Sequence, residues 1–228
     1  MKKKILSIAL ALCMVLTMMP MATGVAWADT ATSVTVGGVT LNLTTPFYVN
    51  GAAVAVEPTQ AFGQEGYYAK FENGTLTLNG LVLNNESEKS IKTDSGDLKI
   101  VLQGGSINNL GHSNNGSNII YVTGALTISG SGTLTAVNGS SAYTTIYAKG
   151  DITINGGAQV TATHAGGGAQ AINADATQGA NYIKISGKNT TVTANHSGNG
   201  QSDHAVRANN ICIFDGATLI ATGSEKAV

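Results

Sequence analysis

Apolar and polar residues alternate in short segments that recur along this chain. The clearest segments begin at Leu126, Ile152 and Ile211, where the sequence reads LTISGSGTL, ITINGGAQV and ICIFDGATL, and a looser copy begins at Ile183. Apolar residues stand at positions i and i+2 of each segment, which is the periodicity of a β-strand and not of a helix. One such unit cannot bury its own apolar face. Copies must therefore stack on each other, and the pattern predicts a solenoid.

A third apolar segment precedes each copy and completes the repeat. Glycine, asparagine and serine join the segments, and glycine permits turn conformations that are closed to other residues. The sequence therefore predicts an all-β fold, a right-handed parallel β-helix with three short strands per coil. Successive copies are 29, 26, 26 and 34 residues apart, and they begin at Ile91, Ile120, Ile146, Ile172 and Val206.

The first 28 residues have the pattern of an export signal. A basic stretch of three lysines from Lys2 is followed by an apolar stretch over Ile5–Met19 and by Ala26-Trp27-Ala28, which resembles a signal peptidase site. The apolar stretch is short for a stable membrane span and Pro20 interrupts it. We therefore expect a secreted or cell-surface protein that does not insert into a membrane after cleavage of the signal.

The two ends of the remaining chain differ from the repeat. Residues 29–70 lack it, and we interpret them as a small N-terminal β cap, because the terminal unit of a solenoid has no neighbour on one side. Coils are then expected over residues 71–228. Ser224–Val228 (SEKAV) aligns with Ser202–Val206 (SDHAV), so the β-helix is predicted to be truncated at its C-terminal end, as in a fragment of a longer protein.

Charge and cysteine content narrow the possible partners. Removing the leader takes three of the 12 basic residues and none of the 13 acidic ones, which changes the formal net charge from −1 to −4. Such a chain lacks the basic surface of a nucleic-acid-binding protein. Cys212 is the only cysteine after the leader, so a disulfide framework is not expected. Its position aligns with outward residues of the other copies, and we interpret it as a tolerated substitution.

Several stretches together resemble a known group of proteins. VTVGGV near residue 34, GTLTLNG near residue 74, LKIVLQG near residue 98 and ITINGGAQVTA near residue 152 occur in this order. The order resembles secreted right-handed parallel β-helix surface proteins of Gram-positive bacteria. Among these is a carbohydrate-binding family whose β-helix is related in fold to that of polysaccharide lyases. The resemblance implies a β-helix, an extracellular setting and a polysaccharide partner.

One outward position of the third apolar segment carries residues suited to binding a glycan. Aromatic rings flanked by basic groups can stack on sugar rings and form hydrogen bonds with hydroxyls or carboxylates. Tyrosine is also common on exposed strands that bind nothing. A spacer, however, needs no aromatic row. The candidate carbohydrate-binding residues are Lys92, Tyr121, Tyr147, Asn173 and Arg207.

Three functional hypotheses follow from these features. The first is a non-catalytic module that binds an extracellular polysaccharide, with acidic polymers among the candidates, or that adheres to a host or cell-wall glycan. The second is a passive stalk of a larger surface protein. A third, a fragment of a polysaccharide lyase or glycoside hydrolase, would require carboxylates that converge on the substrate.

The acidic residues are too dispersed to favour the enzymatic hypothesis. Asp94 and Asp97 share a turn, Asp151 stands alone beside Lys149, and Asp175 is expected to stack over Lys149. We therefore predict no catalytic residues and no cofactor, and a calcium ion at Asp94 and Asp97 is the alternative.

Two histidines occupy equivalent positions of the repeat. His164 and His196 each stand four residues after an aligned valine, and Asn138 occupies the same position one copy earlier. We expect these side chains to stack, with His204 on a neighbouring segment. Stacked imidazoles could bind a transition metal, but no carboxylate or thiolate shares their position. We favour a solvated, glycine-rich loop and predict no metal site.

Overall fold

The computed structural model describes residues 29–84, 90–112, 116–140, 142–175, 177, 179–198 and 204–223, which form strands and no helix. The strands are β1 (Ser33–Val36), β2 (Val39–Asn42), β3 (Phe47–Val49), β4 (Ala52–Val54), β5 (Tyr67–Glu72), β6 (Thr75–Leu78), β7 (Val82–Asn84), β8 (Ile91–Lys92), β9 (Leu98–Leu102), β10 (Ile107–His112), β11 (Ile120–Val122), β12 (Leu126–Ser129), β13 (Thr133–Asn138), β14 (Ile146–Ala148), β15 (Ile152–Ile154), β16 (Gln159–His164), β17 (Ile172–Ala174), β18 (Tyr182–Ser186), β19 (Thr191–His196), β20 (Val206–Arg207), β21 (Asn210–Phe214) and β22 (Thr218–Thr222).

Three sheets run along the stack of coils. Sheet A has the order β2-β1-β8-β11-β14-β17-β20, sheet B the order β22-β19-β16-β13-β10-β7, and sheet C the order β21-β18-β15-β12-β9-β6-β5-β3-β4. From β8 onward each coil gives one strand to each sheet, and strands of successive coils pair in parallel. The result is a β-solenoid of about five turns. The prediction of an all-β solenoid with three short strands per coil is confirmed.

Apolar residues of successive coils meet in register inside the solenoid. Leu126 pairs with Ile152, which pairs with Ile183, and all three side chains are fully buried. Burying an isoleucine or leucine side chain contributes about 1.5–3 kcal/mol. The intervening residues point outward, so that Cys212 lies in one row with Lys184 and the aligned threonines, as predicted. Alternation along each strand therefore separates the core from the outer surface.

Antiparallel strands cover the edges of the first coil. Strand β1 pairs with β2 and with the edge strand β8 of the parallel part of sheet A. On sheet C, β5 pairs in antiparallel orientation with β6, which itself pairs in parallel with β9. Phe71 in β5 is fully buried within the core of the solenoid. The antiparallel strands thereby pair the edges of the parallel parts of sheets A and C at this end, whereas β7 is the end strand of sheet B.

Some sequence-based predictions fall outside the described residues. The export signal (1–28) and Ser224–Val228 lie there, so their assignments stay predictions. In the part of the chain that the structure covers, no helix is long and apolar enough to span a membrane.

The glycine that follows the two paired apolar residues has a left-handed backbone in several coils. Gly130 has a φ of 95° and Gly187 a φ of 92°. A methyl group at Gly130 would lie 2.2 Å from the carbonyl oxygen of Leu102 in the previous coil, whereas the nearest atom at Gly187 would be the hydroxyl of Thr190 at 3.5 Å. Gly130 is therefore required by both conformation and coil spacing, and Gly187 by conformation alone.

Substituting these two glycines separates the two requirements. Both Gly130→Ala and Gly187→Ala introduce the same backbone strain. We expect Gly130→Ala to lower the free energy of unfolding by about 1–3 kcal/mol more than Gly187→Ala, because it also forces two coils apart. Urea unfolding of both variants measures this difference. Equal losses would show that close coil spacing does not constrain Gly130.

Candidate functional site

The predicted binding residues form one row across sheet A. Each is the Cα partner of the next, in the order Lys92, Tyr121, Tyr147, Asn173 and Arg207. These five residues are called the sheet A row below. Register places them together, as the repeat indicates, and their role in binding stays a prediction.

The two tyrosines of the row stack on each other. The ring centroids of Tyr121 and Tyr147 lie 5.5 Å apart with an interplanar angle of 12°. Such a pair is worth about 0.5–1.5 kcal/mol beyond the area that it buries. The inner face of each ring is therefore covered by the other ring. The aromatic surface available to a ligand consists of ring edges and the two outer faces, and not of the full row of open faces that the sequence suggested.

An acidic residue of the next coil fixes the position of Tyr147. The Tyr147 hydroxyl donates a hydrogen bond of 2.7 Å to Oδ2 of Asp175. Burial, and then this interaction, raises the pKa of Tyr147 well above its ordinary value. Burial alone would raise the pKa of Asp175, but hydrogen bonds from Thr177 and Tyr147 and the charge of Arg207 outweigh it, and the pKa is lowered. Asp175 is therefore an ionised acceptor.

The remaining members of the row differ from one another in exposure. Lys92 forms an ion pair with Asp94, and Arg207 is exposed. Asn173 is only 8% exposed, and its amide donates a 3.1 Å hydrogen bond to Oε1 of Gln170. The expectation that Asn173 projects into solvent was wrong, because the segment before β17 covers it. Asn173 therefore interrupts the open part of the row between Tyr147 and Arg207.

A depression of about 270 Å³ lies beside the tyrosine stack. Asn118 and Thr144 form part of its wall, each two residues before a strand of sheet A, and the Asn118 amide donates a 2.9 Å hydrogen bond to the Thr144 carbonyl. Tyr143, which is 41% exposed, contributes a third aromatic ring. The lining residues are Asn118, Tyr121, Ala142, Tyr143, Thr144 and Tyr147.

Sequence analysis missed the residues that complete this depression. Asn118 and Thr144 could have been found, because both stand two positions before an aligned isoleucine, and Gln170 stands there in the next copy. Tyr143 stands one position earlier, where the neighbouring copies carry Ser117 and Ala169. The neighbouring copies have no aromatic residue there, so the repeat gave no reason to expect a third ring.

The acidic residues form pairs with groups of the protein. Asp151, expected to stand alone, forms a 2.8 Å ion pair with Lys184 of the next coil and accepts a hydrogen bond from the Tyr182 amide. Asp175 follows Ala174, the Cα partner of Ala148, and so lies over Lys149 as expected, while its side chain accepts hydrogen bonds from Tyr147 and Thr177. The register between coils explains the correction at Asp151, because it brings two residues more than 30 positions apart into contact.

The two aspartates considered for calcium also have protein partners. Asp94 pairs with Lys92, and Oδ1 of Asp97 accepts a 2.7 Å hydrogen bond from the Ala125 amide. Among the described residues, no three His, Cys, Asp or Glu side chains come together as a metal-binding group.

A row of polar side chains ends the strands of sheet B. His112, Asn138, His164 and His196 are successive Cα partners, and all four are buried. The imidazole rings of His164 and His196 lie 5.1 Å apart. The predicted stacking is confirmed, but the expectation of a solvated loop was wrong, since these residues continue the inward positions of their strands. His204 lies before β20, outside this row.

Burial affects the protonation of His112. Its side chain is 6% exposed, and Nε2 lies 3.3 Å from the hydroxyl of Ser117. Burial lowers the pKa of His112, although nearby hydrogen bonds oppose the shift. The folded state therefore favours the neutral imidazole more than the unfolded chain does, whose histidine pKa is about 6.5.

This shift predicts that His112 makes stability depend on pH. Above about pH 6.5 the neutral form prevails in both states, and below it the unfolded chain binds more protons, so stability falls with decreasing pH. Replacement by asparagine, which the next coil carries at the equivalent Asn138, should reduce this slope. Urea unfolding of wild type and His112→Asn between about pH 8 and pH 5 measures it. Parallel pH profiles would contradict the prediction.

Comparison with known proteins identifies the family. A sequence profile described as "Carbohydrate-binding domain-containing protein" matches residues 66–228, which is well over half of the chain. The chain belongs to this family. The match begins at the antiparallel strand β5 and includes all parallel coils, the sheet A row and the depression beside it. No curated protein and no solved structure matches the chain.

Proposed function

We propose that this protein is a non-catalytic extracellular module that binds a polysaccharide at the depression beside Tyr121 and Tyr147. The observation that carries the proposal is the coincidence of stacked tyrosines, a third tyrosine and buried polar groups within the region of the carbohydrate-binding family. Sugar rings combine apolar C–H surfaces with hydroxyl groups. A tyrosine-lined depression with an amide and a hydroxyl in its wall offers complementary contacts to both.

The rigidity of the site favours binding. Tyr147 is held by Asp175, Tyr121 is held by its stacking on Tyr147, and both belong to strands within a continuous sheet. Side chains that are ordered before binding lose little conformational entropy when the ligand arrives. The solenoid thus supports a preformed site, which suits a binding module.

The proposed absence of catalysis is supported by the chemistry of the lining. Glycoside hydrolysis commonly uses two carboxyl groups on either side of the sugar bond. The six residues that line the depression contain no carboxylate. The extracellular setting is supported by the sequence of residues 1–28.

Removing the tyrosine stack tests the proposed site. We expect Tyr121→Ala/Tyr147→Ala to weaken polysaccharide binding about tenfold or more, equivalent to about 1.4 kcal/mol. Tyr182→Ala is the matched control, because Tyr182 is a half-buried tyrosine on sheet C. A glycan array identifies the ligand, and calorimetry on the purified variants measures the affinity. Circular dichroism and urea unfolding verify that both variants remain folded.

The same measurements distinguish the other hypotheses. If the wild-type protein binds no glycan or insoluble polysaccharide, the binding proposal fails and the passive stalk is favoured. Equal losses in Tyr182→Ala and the double variant would contradict the location of the site. Unsaturated or reducing-end products released from a bound polymer would contradict the proposed lack of catalysis.

A further inference from the structure

We infer that the site is selective for an uncharged polysaccharide over acidic polymers. This inference rests on the proposed function and concerns the charge of its ligand. It narrows the sequence-based expectation, in which Lys92 and Arg207 at the two ends of the row left acidic polymers among the candidates.

The lining of the depression carries no charge. Its residues are three tyrosines, an asparagine, a threonine and an alanine. Their functional groups form hydrogen bonds with neutral hydroxyls as readily as with carboxylates. A carboxylate that enters such a site loses hydration without gaining an opposite charge, and this transfer is costly. A sugar hydroxyl does not incur that cost.

The lysine at one end of the row is neutralised by its neighbour. Lys92 pairs with Asp94 in the same turn. The two side chains are 34% and 72% exposed, so the pair itself adds little stability. An acidic ligand that displaced Asp94 would nevertheless leave its carboxylate close by. The lysine and its neighbour therefore present no net positive charge to a polymer lying along the row.

An aspartate lies at the edge of the tyrosine stack, on the side toward the arginine. The charge of Arg207 lowers the pKa of Asp175 and thus helps to keep that residue ionised. Oδ2 of Asp175 lies 2.7 Å from the Tyr147 hydroxyl, at the edge of the stack. A uronic acid beside Tyr147 would meet this negative charge.

The size of the depression indicates how the polymer is held. Its volume of about 270 Å³ is slightly less than the roughly 300–1,000 Å³ of pockets for drug-sized ligands. As a shallow depression, it can contact about one sugar unit. The rest of a polymer would lie over neighbouring coils, which are spaced at about 4.8 Å. Specificity then comes from the one neutral sugar that contacts the depression.

Comparison of neutral and acidic polymers tests the inference. Purified protein is titrated by calorimetry with xyloglucan and galactomannan, which are neutral, and with polygalacturonate and alginate, which are acidic. Ionic strength is varied from about 0.01 M to 1 M, which shortens the Debye length from about 30 Å to 3 Å. We expect at least one neutral polymer to bind with an affinity that changes less than about twofold over this range. The acidic polymers should bind at least about tenfold more weakly, which corresponds to about 1.4 kcal/mol.

The variant Asp94→Asn provides a directional control. It removes the carboxylate that neutralises Lys92 and leaves the tyrosines unchanged. We expect it to gain affinity for polygalacturonate at low salt, to lose this gain at high salt, and to bind the neutral polymer as wild type does. If Asp94→Asn shows no gain, Asp94 does not mask Lys92 and the charge argument is overturned.

The remaining outcomes separate this inference from the proposed function. Wild-type binding that is strongest for acidic polymers, depends on salt and is lost in Tyr121→Ala/Tyr147→Ala would overturn neutral selectivity while supporting the site. Binding of all four polymers that persists in the double variant would place the ligand elsewhere. No binding of any of these polymers, or of the glycan array, would overturn both.

Discussion

In-register parallel pairing between successive coils is the constraint on which the rest of this structure depends. Each inward isoleucine or leucine is buried because an equivalent residue lies above or below it, as Leu126 does with Ile152. The same pairing fixes everything outside the core, since an outward residue must lie over its counterpart at a spacing of about 4.8 Å. The tyrosine stack and the histidine row are both consequences of this one register. The tyrosines lie on the outer side of their strands and the histidines on the inner side, which explains why only the histidines face the core.

The repeat therefore predicted which residues meet, but less reliably whether they are exposed. His164 illustrates the difference, because Val160, Ala162 and His164 occupy alternate positions of β16 and all face inward. Extending the strand periodicity by two residues would have predicted its burial, and the glycines that follow obscured this. Asn173 shows the reverse case. It alternates with inward residues of β17, yet the preceding segment covers it. No pattern within the strand predicts that the preceding segment covers Asn173.

The parts of the site that sequence could not predict depend on side-chain orientation and on residues that depart from the repeat. Alignment placed Tyr121 beside Tyr147, but the 12° angle between their rings reflects packing and the bond to Asp175. The ion pair between Asp151 and Lys184 joins two coils, and only the register relates them. Tyr143 reaches the depression from a position that carries serine or alanine in the neighbouring copies. The repeat thus determines the scaffold of the solenoid, whereas the candidate site depends on residues that depart from the repeat.

This distinction explains why the aromatic surface is short although the solenoid is long. Two adjacent coils carry tyrosine in the row, and asparagine replaces it at the next position. The replacement ends the stack at Tyr147, whose hydroxyl donates a hydrogen bond to Asp175. In a longer tyrosine row, each added ring would stack on its neighbour and cover one of its faces. Such a row would gain exposed ring edges but few exposed ring faces. Limiting the stack to two rings, with Tyr143 beside them, places three aromatic side chains around one shallow depression.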